Sequence, residues 1–472
     1  MATTALDPFK LIDIENATEE QALVLEDITK QFELSTQKIT EIVQHYVGEM
    51  HKGLEKNNHT LAMIPSFVIG KPTGKEVGTV LAMDLGGTNF RVCLMEFKEN
   101  TEINIKQQKY RVPDEFKTGK VNMLFDYIAD CVDKFLQEIG YEKKNGILDL
   151  GFTFSFPVQQ TAIDKGTLLH WTKGFEAEGA VGEDIVKLMQ GSLNRRQIPA
   201  RVVALINDTV GTLLAHAYKR HTDALIGVIL GTGTNGAYFE KISHIKKLGT
   251  FQSKSEEMIV NMEWGAFDLE RKILPITMFD NKLDRESLNP RAQLFEKLIS
   301  GMYLGEIVRN IILYLIDRDL LFKCVHFDYS TFKEINKQWA FDTVWVSTIE
   351  ADQSSNLDDT KIVFEKYLNI YSTSLTDRQI VKKVCQIVGI RSARLGAAGL
   401  AGVISHRGAI KTGCSIGIDG SLFEFYPNFE QRLKSTFHEV FGSDAENIHL
   451  ELTRDGSGVG AALAAILAVK HA

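Results

Sequence analysis

The sequence is poor in cysteine: Cys93, Cys131, Cys324, Cys385 and Cys414 are the only five in 472 residues. No two stand close enough to form a CxxC pair, which excludes a zinc ribbon or a thioredoxin-like redox site. A sparse, odd set suits a reducing compartment, so a cytoplasmic protein is expected. Basic excess is also missing: 53 Lys+Arg against 61 Asp+Glu gives a formal net charge of −8. Nucleic-acid binders normally carry a basic excess or a basic stripe, so no nucleic-acid partner is expected. The longest apolar runs, 395–404 and 458–469, fall short of the ~18–20 residues that span a bilayer. The first twenty residues lack the basic-then-apolar order of a signal peptide. No membrane partner is therefore expected. Nor is there an HExxH or similar histidine spacing, so no protein-ligated metal is expected.

What is present is an ordinary globular balance of 44% hydrophobic and 24% charged residues. The chain is too long for one core, which stops growing near ~250–300 residues, so two lobes are expected. Residues 17–57 have helical periodicity, with Leu23, Val24, Ile28, Phe32, Ile39, Ile42 and Val43 on the buried faces. Pro65 and the turn-rich segment 70–75 break that pattern and mark a domain crossing. Segment 77–97 then reads as strand, glycine turn, strand, followed by a strand over 103–112 and an amphipathic helix over 122–139. Strands at 148–155 and 201–206 flank a helix at 182–196. The pattern restarts with a helix at 209–220, a strand at 224–230, a second glycine turn, and strands at 235–242 and 258–262. One long helical stretch is expected over 292–321, opened by Asn289-Pro290. Region 322–375 gives no clear pattern. A helix over 377–404, a hairpin of 414–418 with 423–425, a helix over 429–441, a strand over 448–452 and a closing helix over 460–470 complete the reading. Strands mixed with helices in a rough duplication make an α/β class with a ligand cleft between the lobes.

Asp84-Leu85-Gly86-Gly87-Thr88-Asn89 is the first chemical feature. Its glycines let the backbone turn tightly and approach a polyphosphate, and Arg91 adds a cation. Read alone, it is also an ordinary Asp-Gly turn. A second loop, Gly231-Thr232-Gly233-Thr234-Asn235-Gly236, occupies the equivalent place in the repeat. It matches the dinucleotide fingerprint formally, but a strand follows where that fingerprint needs a helix, so the Rossmann reading is rejected. Two such loops facing each other would grip a triphosphate. Asn207-Asp208 closes a buried strand, where plain helix capping and a general base are both chemically apt. Ser155, Thr172-Lys173, Glu263 and Glu296 are polar groups at strand ends or on an apolar helix. Asp419-Gly420-Ser421 reads as a type I′ turn between two strands, and Asp455-Gly456-Ser457-Gly458 leads into the last helix.

The ordered set LAMDLGGTNFRV (81–92), LGFTFSFPV (150–158), WTKGF (171–175), INDTVGTLLA (206–215), GTGTNGAYFE (231–240), NMEWGAFD (261–268), LFEKLISGMYLGE (294–306), DGSLFEFYPNF (419–429) and DGSGVGAAL (455–463) resembles the eukaryotic hexokinase family. That family lies within the actin-like ATPase superfamily. Val210, Thr234 and Trp264 look closer to its fungal glucokinase branch. The resemblance implies a two-lobed ribonuclease H-like fold with a duplicated mixed-sheet core. It implies a small lobe over 76–207 to which 454–472 return, and a large lobe over 208–453 on which 1–75 pack. It implies transfer of phosphate from ATP to a hexose 6-hydroxyl, glucose above all, by a monomer or homodimer. Asp208 is the implied base and Lys173 the cation beside the reacting oxygens. Ser155, Thr172, Lys173, Asn207, Asp208, Asn235, Glu263 and Glu296 are the implied sugar contacts. The implied nucleotide residues are Asp84, Gly86, Gly87, Thr88, Asn89, Arg91, Thr232, Gly233, Thr234, Gly420 and Ser421. Mg²⁺ is expected to arrive with ATP, held by phosphate and water, with Asp84 nearby. Two other readings share the fold: a noncatalytic sugar sensor and an actin-like ATPase.

Overall fold

The computed structural model describes residues 7–471 except Thr88, Asn100, Thr101, His221, Thr222 and 324–330. Its strands are β1 (Ile64–Ile69), β2 (Gly78–Leu85), β3 (Asn89–Phe97), β4 (Ile103–Arg111), β5 (Leu148–Phe154), β6 (Val158–Ala162), β7 (Lys165–Leu168), β8 (Ala200–Ile206), β9 (Ala224–Leu230), β10 (Thr234–Lys241), β11 (Glu257–Asn261), β12 (Cys414–Asp419) and β13 (Ile448–Leu452). Two sheets carry the architecture, in the orders β4-β3-β2-β5-β8 and β1-β11-β10-β9-β12-β13. In each, three sequential strands form an antiparallel meander: β2-β3-β4 in one, β9-β10-β11 in the other. Two further strands then add in parallel beyond the first, β5 and β8 beside β2, β12 and β13 beside β9. The same wiring twice is the duplication expected from the two glycine turns. The second sheet gains β1 on its edge, antiparallel to β11, and Pro65 lies inside that edge strand next to a register shift. An edge is where a strand tolerates a residue with no N–H.

The last helix of each repeat packs against the other repeat. Helix Asp208–Arg220 follows β8 and packs on β9, and helix Gly456–His471 follows β13 and packs on β2, β5 and β8. The two helices cross at glycines. A Cβ on Gly460 would lie 2.1 Å from the carbonyl oxygen of Gly211, and one on Gly211 would lie 2.9 Å from Cα of Ser457. Three apolar clusters result among the described residues. One belongs to the large lobe and one to the small. The third is shared, built from Val80, Ala204, Leu213, Ala237, Ile259 and Ala461 among others, so both sheets and both crossing helices contribute to it.

Local chemistry explains where the elements depart from expectation. The stretch 17–57 is two helices, Glu19–Phe32 and Thr36–Glu55, because Thr18 and Ser35 each accept a backbone N–H as N-caps. Leu23 is 61% exposed rather than buried. The expected helix 292–321 breaks at Ser300 into Leu294–Ile299 and Gly301–Asp317. There the N–H groups of Gly301 and Met302 turn to the carbonyls of Gly231 and Thr232, at 2.8 and 3.0 Å. Asn289-Pro290 does not cap it: Gln293, with φ 52°, is the N-cap. The expected hairpin after β12 is absent. Ser421–Phe425 is a short helix, and Gly420 has φ 122° and ψ 152°, outside a type I′ turn. Region 322–375 supplies helices Thr343–Ala351 and Asp358–Ile362 and a π turn at Val363–Tyr367. Helix Leu375–Arg407 contains an apolar window long enough for a bilayer, longer than the runs read from the sequence, but 94% of that window is buried in the large lobe.

Candidate active site

The ends of the parallel strands and the start of β10 deliver the polar residues to one cleft. Asn207 follows β8, and Asp208 is the first residue of the helix Asp208–Arg220. Its carboxylate sits where the helix dipole favours negative charge, and its Oδ1 accepts the Thr209 N–H at 2.9 Å. Asn207 Oδ1 accepts the Thr209 N–H and hydroxyl at 3.0 and 2.7 Å, and the same oxygen accepts from Asn235 Nδ2 at 3.3 Å. Asn235 also reaches Asn261 at 2.8 Å and Glu263 at 3.3 Å. Glu296 projects from the short helix Leu294–Ile299, and its Oε2 accepts the Thr234 N–H at 2.9 Å.

The electrostatics are those of carboxylates crowded away from water. Burial pushes the Glu263 carboxyl up to about 7, Asp208 and Glu296 add to this, and the Asn261 hydrogen bond and Lys173 oppose it. Burial also raises Glu296, against the Thr234 N–H and the Lys173 charge. Such a set is poorly suited to an anion. It suits a neutral ligand ringed with hydroxyls, each of which can donate to a carboxylate.

Lys173 faces this set from the small lobe. It has φ 56° on the loop after β7, and its Nζ donates to the Ser155 carbonyl at 2.8 Å. The loop rests on an aromatic platform: Phe156–Trp171, Phe156–Phe175 and Trp171–Phe175 have centroids 5.0, 5.0 and 5.4 Å apart. Trp171 Nε1 closes the turn on the Ala177 carbonyl at 2.9 Å. Thr172 adjoins Lys173 and is half-buried. The first glycine loop touches this one, since a Cβ on Gly87 would lie 3.1 Å from Cβ of Lys173. In that loop Gly86 N–H donates to the Asn89 carbonyl at 3.1 Å, and Thr88 lies outside the described residues.

The expected nucleotide residues divide. Gly231, Gly233 and Thr232 form a tight loop with the Gly231 N–H on the Gly233 carbonyl, and Thr232 is exposed. Gly420 packs on it so closely that a Cβ would come 2.3 Å from the Leu230 carbonyl oxygen, with exposed Ser421 alongside. Thr234 is different. Its hydroxyl donates to the Ile229 carbonyl and accepts from Trp264 Nε1 at 3.0 Å, while its N–H holds Glu296. Its polar groups are all committed internally, so it supports the carboxylate side of the cleft. Arg91 is paired with Asp84 at 3.1 Å and Asp455 at 2.6 Å, and Ser457 donates to Asp84 at 2.8 Å. Burial, reinforced by Asp455 and Asp208, pushes Asp419 up to about 6. Asp84, Asp419 and Asp455 are hard oxygen donors beside the glycine loops, and their chemistry fits a Mg²⁺–phosphate complex. Elsewhere, Glu240, His244 and His406 cluster, but Tyr238 and Arg407 already pair with Glu240 at 2.6 and 2.9 Å.

Sequence reasoning missed Asn261, Trp264, Asp419 and Asp455 as members of the site. Asn261 and Glu263 are two apart beside a strand, so period-two spacing could have put both on one face.

Comparison with known proteins follows the same lines. Two sequence models of hexokinase match, one over residues 24–218 and one over 225–467. A hexokinase of Kluyveromyces lactis is 41% identical over 449 residues, 93% of this chain and 91% of that one. A glucokinase of Aspergillus niger is 40% identical over 477 residues, 94% of this chain and 96% of that one. A solved hexokinase from Schistosoma mansoni, complexed with glucose, superposes with a TM-score of 0.85 at 35% identity, over 96% of this chain and 99% of that one.

Proposed function

This chain belongs to the hexokinase family and is a sugar kinase, and on that premise we propose that it transfers the γ-phosphoryl group of MgATP to the 6-hydroxyl of glucose. The observation that carries the proposal is the meeting of Asp208 with Asn207, Asn235, Glu263 and Glu296 opposite Lys173. Asp208 takes the 6-hydroxyl proton as that oxygen attacks the γ-phosphorus in line and ADP departs. Lys173 leaves the Ser155 carbonyl to meet the charge that grows on the transferring group. Asn235, Glu263 and Glu296 take the remaining sugar hydroxyls, and a site built this way rejects analogues that lack them. The glycine loops at 86–87 and 231–233 cradle the phosphates, their tight turns letting the backbone approach closely, with Gly420 and Ser421 at the nucleoside end. Asp84 would lie near a Mg²⁺ carried by ATP, whose charge would neutralise the phosphates. Cys93, Cys131, Cys385 and Cys414 are free thiols, which supports a reducing, cytoplasmic setting.

The test is incubation with MgATP and a panel of hexoses, following ADP and sugar phosphate together. Stoichiometric ADP and glucose 6-phosphate are expected. ADP formed without sugar would favour an ATPase, and sugar binding with no ADP would favour a sensor.

A further inference from the structure

We propose that Asn261 is a positioning residue for the sugar: its side-chain amide fixes Asn235 and Glu263, the two groups that receive hydroxyls. The proposal rests on the hexose-kinase reading above and adds a residue that does not itself bind the substrate.

Asn261 is the last residue of β11 and 7% exposed. Its backbone is held from both sides, opposite Ile64 of β1 and Ala237 of β10. Its side chain makes two short bonds of opposite sense. Oδ1 accepts Asn235 Nδ2 at 2.8 Å, and Nδ2 donates to Glu263 Oε1 at 2.9 Å. The carboxamide supplies both an acceptor and a donor, which neither a carboxylate nor an apolar side chain can. The orientation of Asn235 is also set: its Oδ1 accepts the Gly236 N–H at 2.7 Å and the Trp264 N–H at 3.4 Å. The Asn235 NH₂ thus points into the site with two hydrogens and three acceptors. The bond to Asn261 is short, whereas those to Asn207 and Glu263 are both 3.3 Å. The two long contacts are the ones that a sugar hydroxyl can take over, leaving the pair with Asn261 unchanged.

Glu263 needs such an anchor. Its backbone has φ 51°, uncommon for a residue with a Cβ, which turns the carboxylate back over β11. Asp208 and Glu296 face it with like charge and Lys173 with opposite charge. The Asn261 N–H is a neutral donor to its carboxylate, so it favours the ionised form that accepts sugar hydroxyls.

The test compares wild type with Asn261→Asp, nearly isosteric but with a carboxylate facing Glu263 in place of the donor, and Asn261→Leu, lacking both bonds. The glucose KM is expected to rise about tenfold to a hundredfold in each, with kcat falling less and the MgATP KM unchanged. Wild-type glucose KM is expected to rise as pH falls through the Glu263 titration. In Asn261→Asp the trend reverses, because one proton shared between the facing carboxyls restores a donor. A wild-type glucose KM in both variants would overturn the proposal. So would an equal loss in all parameters with a lowered melting temperature and no pH reversal in Asn261→Asp, the mark of a purely structural residue. A wild-type protein that phosphorylates no hexose would instead overturn the parent reading, and is seen before any variant is made.

Discussion

Asp208 and Glu263 show how place in the fold decides what a carboxylate does. Asp208 begins a helix, with its Oδ1 on the Thr209 N–H at 2.9 Å, so it is held as an acceptor facing the cleft. Asp208→Ala is expected to lower kcat by about 10²–10⁴, the usual weight of a general base, while calorimetry still registers MgATP binding. Near-normal sugar phosphorylation in that variant would refute the base assignment. Glu263 is raised from 4.5 to about 7, chiefly by burial. Between those values the folded protein holds a proton that the unfolded chain has released, so stability falls as pH rises through the window. Glu263→Gln is therefore expected to stabilise the sugar-free protein above pH 7 by about 1–3 kcal/mol, read from urea midpoints, while weakening glucose binding. Because hydroxyl donors favour the carboxylate, glucose binding to wild type should release protons below about pH 7. Titrations in buffers of different ionisation enthalpy would reveal it. Much of this site was legible as strand-end chemistry: Asn207, Asp208 and Glu263 each end or follow an apolar run. What the sequence did not show is that the Thr234 hydroxyl and N–H meet Trp264 and Glu296, which are distant in sequence and reach it only through packing.

Elements carry the coupling between lobes, and here the crossing helices matter most. The Gly211–Gly460 contact leaves no room for a side chain. Gly460→Ala must push helix Gly456–His471 off helix Asp208–Arg220, whose first residue is Asp208. A loss of about 1–3 kcal/mol is expected, the usual range for overpacking, with a fall in kcat because the same displacement moves Asp208. Unchanged denaturation midpoints would show that the crossing is slack. Nothing local announced this contact, since the DGSGVG segment reads equally as a connector. The paired strands around each glycine turn were legible, because each turn sits between apolar strands. The breaks were not. Helix 292–321 splits because the second glycine loop takes the N–H groups of Gly301 and Met302. The expected hairpin fails because β12 is already flanked by β9 and β13, both parallel to it. In each case tertiary partners outbid the local pattern.

At the scale of the whole molecule, an acidic chain must bind a polyanion. The net charge is −8. Asp84, Asp419 and Asp455 stand at the proposed nucleotide end, and the guanidinium of Arg91 is already paired with two of them. Free ATP would meet this field with its full negative charge, whereas MgATP brings its own neutralisation, so chelation of Mg²⁺ should abolish turnover and weaken nucleotide binding together. Closure addresses the other hazard, water as a competing acceptor. Lys173 and Ser155 belong to the small lobe, Glu263 and Glu296 to the large, so on the proposed reading a sugar bridging them would draw the lobes together about the shared core. Binding energy from the sugar would then assemble the site only when the right acceptor is present. Small-angle scattering should show the radius of gyration fall on adding glucose, with little change on adding nucleotide alone, and ATP hydrolysis without sugar should run far below sugar phosphorylation. A radius unchanged by saturating glucose, or brisk sugar-free hydrolysis, would mean that the site is assembled before the sugar arrives, and that specificity rests on the fixed hydrogen bonds of the cleft alone.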